Sequence, residues 1–151
     1  MNRFSRLEAL RRLKEESAGQ AFARTLARID ELRQQMVDLD RETAEEKRAA
    51  MEALAGPQRP DPAWLESFLA GQAWRRGRLD GALRKARMES EVAREAWRMA
   101  RMQLQQAEVL AQKEGVRILG EQRRAEMKEM DMLGIYRSNF NLENPIQSRR
   151  G

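Results

Sequence analysis

Three of the four prolines of this chain fall in one run, AGPQRPDP at 55–62, and the fourth is Pro145. Proline has no amide hydrogen to give and crowds the preceding helical turn, so a helix cannot continue through such a run. The stretches on either side are long, proline-free and rich in Ala, Glu, Lys, Leu, Arg, Gln and Met, all good helix formers, while strand-favouring residues are scarce. The expectation is an all-α fold: an antiparallel two-helix coiled-coil hairpin with a longer second helix and a disordered C-terminal tail. The hairpin takes residues 1–136, with the first arm at about 3–55, the turn at 56–61 and the second arm at about 62–134; residues 137–151 form a flexible tail. In the turn, Gly56 suits a left-handed cap, Pro57 and Pro60 block continuation, Asp61 suits an N-cap and Pro62 the first helical position.

Apolar residues in sevens supply the seam. In the first arm Phe22, Ile29, Met36, Thr43 and Ala50 form one row, and Thr25, Leu32, Leu39, Glu46 and Ala53 a second, strong in the middle and weak near the turn. Upstream, Leu7, Ala18 and Ile29 are spaced by eleven, which predicts a stutter there, and Phe4, Leu7, Leu10 and Leu13 extend an apolar stripe. In the second arm Leu83, Ser90, Trp97, Leu104, Ala111, Ile118 and Ala125 pair with the small row Ala86, Ala93, Ala100 and Ala107. Alanines at that spacing let backbones approach closely, and Trp97 and Leu104 then need room on the opposite arm. A reversal near residue 59 makes facing residue numbers add to about 118, which sets Phe22 near Trp97 and Leu7 near Ala111.

Because the arms differ in length, the end of the second, EQRRAEMKEMDML at 121–133, has no intramolecular partner unless it frays back onto the N-terminus. Met127, Met130 and Leu133 with Arg123, Arg124 and Lys128 make it a flexible, basic contact surface. Beside the turn, WLESFLAGQAW (64–74) sets Leu65, Phe68, Leu69 and Gln72 on one face. A partner covers that face, or it folds back on Leu54 and Met51. Gly71, Gly77 and Gly81 weaken the helix there, and local bending is expected.

Composition narrows the function. The chain has no Cys and no His, which removes disulfides, thiolate zinc sites and imidazole catalysis. There is no phosphate-binding loop, no dinucleotide turn and no nucleophile elbow, and a two-helix rod offers no pocket, so neither an enzyme nor a cofactor or metal site is expected. The carboxylates Asp38, Asp40, Glu42, Glu45 and Glu46 read as a solvated face. With neither a signal peptide nor an apolar run of about 18 residues, the expected location is the cytoplasm. The net charge of +5 is matched by residues 75–101, where nine basic residues outnumber Asp80, Glu89, Glu91 and Glu95. Such a stripe suits nucleic acid or an acidic protein surface, but interspersed acids are equally the mark of a solvated face.

The layout of helix, proline-marked turn and longer second helix, the aromatic segment WLESFLAGQ and the basic, methionine-containing run EQRRAEMKEMDM resemble the FliJ family of flagellar type III export proteins. The resemblance covers nearly the whole chain. It implies a soluble coiled-coil stalk, peripheral to the cytoplasmic face of the membrane, which engages the hexameric export ATPase, contacts the cytoplasmic part of the membrane-embedded export gate and escorts export chaperones. It further implies that the paired termini, with Leu7, Leu10, Arg123, Arg124, Met127 and Met130, enter the ATPase ring, and that Phe68, Leu69 and Gln72 face the gate. The alternatives are an unrelated coiled-coil adaptor or dimerisation protein, and a nucleic-acid-binding helical protein.

Overall fold

The structure, a computed structural model, describes residues 2–57 and 61–143, with side chains as far as residue 140. It consists of two α-helices that pack against each other as a hairpin, α1 (Ser5–Leu54) and α2 (Pro62–Glu143). Helix α2 therefore runs nine residues beyond the expected end at 134, and residues 137–143, expected in the flexible tail, are helical. The rest of that tail, 144–151, lies outside the described residues, as do Gln58, Arg59 and Pro60 in the turn. No described helix is long and apolar enough to cross a membrane.

The reversal is built much as the sequence dictates on its exit side and differently on its entry side. Asp61 caps α2: its Oδ1 accepts from the Ala63 amide at 3.0 Å and its carbonyl from the Trp64 amide at 3.0 Å, with Pro62 at the first helical position. Gly56 does not take the left-handed conformation, since no described glycine has a positive φ. Instead its amide bonds the Ala53 carbonyl at 3.1 Å, so α1 ends by tightening into a three-residue turn. Gly71, Gly77 and Gly81 all lie inside α2, which stays helical through the stretch where bending was expected.

Burial along α1 follows a 4-3 alternation with no stutter. Phe4, Glu8, Arg11, Glu15, Ala18, Phe22, Thr25, Ile29, Leu32, Met36, Leu39 and Thr43 are buried or half-buried in turn, while Leu10 and Leu13 face out. The eleven-residue spacing of Leu7, Ala18 and Ile29 misleads because the seam positions upstream are polar. The heptad is intact and only its hydrophobicity lapses. Near the turn Glu46 and Ala53 are exposed, as their weak seam character implies.

By contact the chain divides into two units, one made of residues 12–102 and the other of 1–11 with 103–151. The first holds the apolar core: Ile29, Leu32, Leu83 and Ala86, flanked by Met36, Leu79 and Ala82, with Leu32 only 2% exposed. On the turn side, Gln72 donates to the Thr43 hydroxyl at 3.1 Å, Thr43 donates onward to the Leu39 carbonyl at 2.8 Å, and Arg76 pairs with Asp40. On the other side, Phe22 and Trp97 rings lie 5.7 Å apart, and the Trp97 indole donates to Glu15 at 3.0 Å. The small residue opposite Trp97 is Gly19, where an added Cβ would lie 3.1 Å from the indole nitrogen. This is the room the large knob requires. Phe22 thus meets Trp97 as expected, but the other pairs add to 112–116, so the register sits a few residues tighter than 118.

In the second unit the packing is polar and alanine-rich. Arg11 donates to Gln103 at 2.7 Å, the Asn2 side-chain amide bonds the Ala111 carbonyl, and Ala107 is buried. The structure places Asn2 rather than Leu7 at Ala111, the same displacement of register.

Candidate functional site

The most polar of the described cross-helix contacts in the second unit lies at the start of α1. Glu114 occupies a seam position and is 7% exposed. Arg117, one turn on, donates to both its oxygens at 3.0 and 2.6 Å, and Arg3 reaches it from the start of α1 at 3.6 Å. The hydrogen bonds from Arg117 hold the Glu114 carboxyl below the ordinary carboxylate range, with the positive charges of Arg117 and Arg3 adding to the effect. Arg117 is correspondingly raised, by Glu114 first and by Glu121 in addition. Beyond it, Ile118 and Gly120 are still half-buried.

From 121 to 140 every residue of α2 is exposed. Met127, Met130, Met132, Leu133, Ile135, Tyr136 and Phe140 stand 53–71% exposed there, interleaved with Arg123, Arg124 and Lys128. An isolated water-exposed helix gains little from propensity alone, so this many bare apolar side chains over five turns is the pattern of a surface awaiting a partner. The stretch does not fray back onto the N-terminal residues.

The expected site residues are not all brought together. Arg123, Arg124, Met127 and Met130 share this bare stretch. Leu7 is half-buried and Leu10 exposed on the part of α1 whose neighbours Asn2 and Arg11 reach only Ala111 and Gln103. Among the described residues, none of α1 reaches the level of Met127.

Near the turn, Phe68 and Leu69 are half-buried, and Trp64 stacks on Phe68 with centroids 5.6 Å apart and planes 12° from parallel. Trp64 and Trp74 are exposed, and so is Met51, so the segment does not close into a cluster on that residue. Gln72, expected to face a partner, is 5% exposed and bonded to Thr43. It is a seam residue, in step with Leu65, Leu69 and Leu79, and what it specifies is helix pairing.

The basic stretch is largely engaged within the chain. Arg76 pairs with Asp40, Arg98 with Glu95 and Lys85 with Glu89, while Arg78 lies over the Trp74 ring and Arg101 over Trp97 at 4.9 and 5.0 Å. Sequence reasoning passed over a different feature. Met88, Val92, Met99, Met102, Val109 and Val116 are exposed on the back of α2, opposite the seam. They recur at the c and f positions of the seam heptad, a spacing legible in the sequence once the seam phase is fixed. In the first unit, Met88 and Val92 with Lys85, Glu89, Ala93 and Ala96 line an open apolar groove.

No family model, curated protein or solved structure matches this chain.

Proposed function

We propose that this protein is the stalk component of a bacterial type III export apparatus of the flagellar kind, a cytoplasmic coiled coil that couples a ring-shaped export ATPase to an export gate and escorts export chaperones. The observation that supports the reading is the bare stretch of α2 beyond Gly120, where Arg123, Arg124, Met127 and Met130 stand exposed on one unpartnered helix. Its size and chemistry suit insertion among similar subunits: methionines adapt to successive surfaces without one fixed fit, and arginines engage acidic rims. Leu7 and Leu10 serve at most the outer margin of that contact. The exposed Trp64 and Trp74, with half-buried Phe68 and Leu69, form the second contact surface, assigned here to the gate.

Such a stalk acts by binding alone. An asymmetric helix inside a ring of like subunits touches only some of them at once, and it shifts their nucleotide affinity by a coupling free energy of about 1–3 kcal/mol. Nucleotide state must then shift stalk affinity by the same factor. The test is hydrolysis by a purified hexameric export ATPase with and without the full chain. Stimulation that is lost on Met127→Asp and Met130→Asp supports the reading; an ATPase indifferent to saturating chain rules it out.

A second reading, a coiled-coil adaptor without an ATPase, draws on the apolar back face of α2 at Met88, Val92, Met99 and Met102, which a stalk does not require. Capture of another helix along that face with no effect on hydrolysis would favour it. Nucleic-acid binding is less well supported, because the basic residues at 76, 78, 85, 98 and 101 already have partners within the chain.

A further inference from the structure

Two side chains in the bare stretch of α2 stand out for what they lack. Arg123 and Glu126 are exposed, one helical turn apart, and neither has an ion-pair partner among the described residues, although Arg117, Glu114 and Glu121 close by are tied together. They lie in a row with their apolar neighbours. Val116, Leu119, Arg123, Glu126, Met130 and Leu133 are separated by 3, 4, 3, 4 and 3 residues, the alternation that keeps side chains on one face of a helix. In the heptad of the α1 seam these are b and f positions, so the face lies well round the helix from the seam, toward its back. The four apolar members are 55–71% exposed.

The row reads the same way in both directions. If a second helix of identical sequence runs antiparallel with facing numbers adding to 249, Val116 meets the partner's Leu133, Leu119 meets the partner's Met130, and Arg123 meets the partner's Glu126. The two-fold axis repeats each contact. Every apolar residue then faces an apolar one, and each charge faces its opposite. Competing arrangements fail on the same residues: sliding by one heptad sets Arg123 against Leu119 or Leu133, which strands a charge on an apolar side chain. A parallel, in-register pair sets Arg123 against its own copy and Glu126 against its own, a like-charge layer. One layer outward in the favoured register, Gln112 meets the partner's Arg137, and in the layer after that Val109 meets the partner's Phe140, apolar on apolar and both exposed in the single chain.

We infer that this face of α2 is a self-recognition surface, through which two copies of the chain associate antiparallel about an axis between Arg124 and Ala125. The charged central layer selects the register and the apolar layers on either side supply the attraction. An isologous contact of this kind closes on itself, so it yields dimers and no filament. The inference stands independently of the export reading, and it has a consequence for it. Arg123 and Met130 lie in the paired face, so a dimer withholds them from any other partner.

The experiment is sedimentation equilibrium of the full chain over a wide concentration range, at low salt, with circular dichroism to confirm that each variant remains helical. The expected result is a monomer–dimer equilibrium whose association constant drops about tenfold or more in Arg123→Glu and in Glu126→Arg, since either substitution places like charges in both central layers. The combined Arg123→Glu, Glu126→Arg variant should recover it to within about threefold, because the exchange restores opposite charges. As the chain has no native cysteine, a Leu119→Cys, Met130→Cys variant should also form a covalent dimer on mild oxidation. A chain that stays monomeric up to about 1 mM, single reversals without effect, or a double variant no better than the singles would each overturn the inference. These outcomes are read without any ATPase, so they are separable from the fate of the export reading.

Discussion

Trp97 is gripped from several directions, by the Phe22 ring, a hydrogen bond to Glu15, the guanidinium of Arg101 and the bare backbone at Gly19. Helix propensity favours alanine over glycine by about 1 kcal/mol at an exposed interior site. At Gly77, where a Cβ would meet nothing within 4 Å, Gly77→Ala should gain that amount in urea unfolding followed by circular dichroism. At Gly19 the new methyl arrives 3.1 Å from an indole that has little freedom to move, so Gly19→Ala should show no gain and a loss of up to about 1 kcal/mol. Equal stabilisation at both sites would show that Trp97 is not seated on the glycine. The need for room opposite Trp97 was legible in the sequence, but the residue that provides it was not. Gly19 becomes the answer only when the register is fixed: a sum of 116 rather than 118 moves the residue facing Trp97 from 21 to 19, and an error of one residue in the estimated turn midpoint was enough to hide it.

Glu114 gives a prediction with a definite sign. Its pKa is lower in the folded chain than in an unfolded one, because Arg117 and then Arg3 favour the carboxylate. A group of this kind contributes stability above its unfolded pKa and loses it as pH falls through the folded value. Lowering the pH from about 7 to about 3 should therefore reduce the melting temperature, with part of that loss abolished in Glu114→Gln. If the wild type and the variant show the same pH profile, the cluster is not an electrostatic clamp.

At the scale of the elements, α1 shows why a seam can be misread. Its apolar residues at 7, 18 and 29 suggested an eleven-residue spacing, whereas Glu8, Arg11 and Glu15 actually occupy the half-buried heptad positions. Arg11 and Glu15 are satisfied across the helix pair by Gln103 and Trp97. Hydrophobicity alone cannot reveal a polar seam residue whose partner is some 80 or 90 positions away. Gln72 illustrates the same point on α2, taken from the sequence as partner-facing and found buried against Thr43. Thr43 keeps its bond to the Leu39 carbonyl without it. Gln72→Leu should therefore leave no orphaned donor and raise stability by about 1 kcal/mol, at some cost in pairing specificity, as seen by chemical denaturation. Destabilisation by more than about 1 kcal/mol would mean that the Gln72–Thr43 bond anchors the seam.

For the whole molecule, the two-helix architecture and the unpaired end of the second helix could be read from one proline run and a difference in length. The extent of the unpaired helix could not. Residues 137–151 were expected as a tail, yet α2 continues to Glu143, since a helix once formed propagates through individually weak positions. Met127→Asp and Met130→Asp test the proposed division of labour. Because both side chains are exposed and far from the seam, hairpin stability should change by no more than about 0.5 kcal/mol, while stimulation of an export ATPase falls at least about tenfold. A variant that loses stability instead would show that these methionines serve the fold.

The uncovered portion of α2 also carries a biochemical liability. Adjacent Arg123 and Arg124 sit in a stretch of helix that no described residue of α1 covers, so its backbone opens locally far more often than the stretch around Leu83, which lies inside the apolar core. Brief trypsin digestion should cleave there first, shedding a C-terminal peptide and leaving the two-helix body intact. Whatever occupies that helix, a ring or a second copy, should announce itself as protection from the protease.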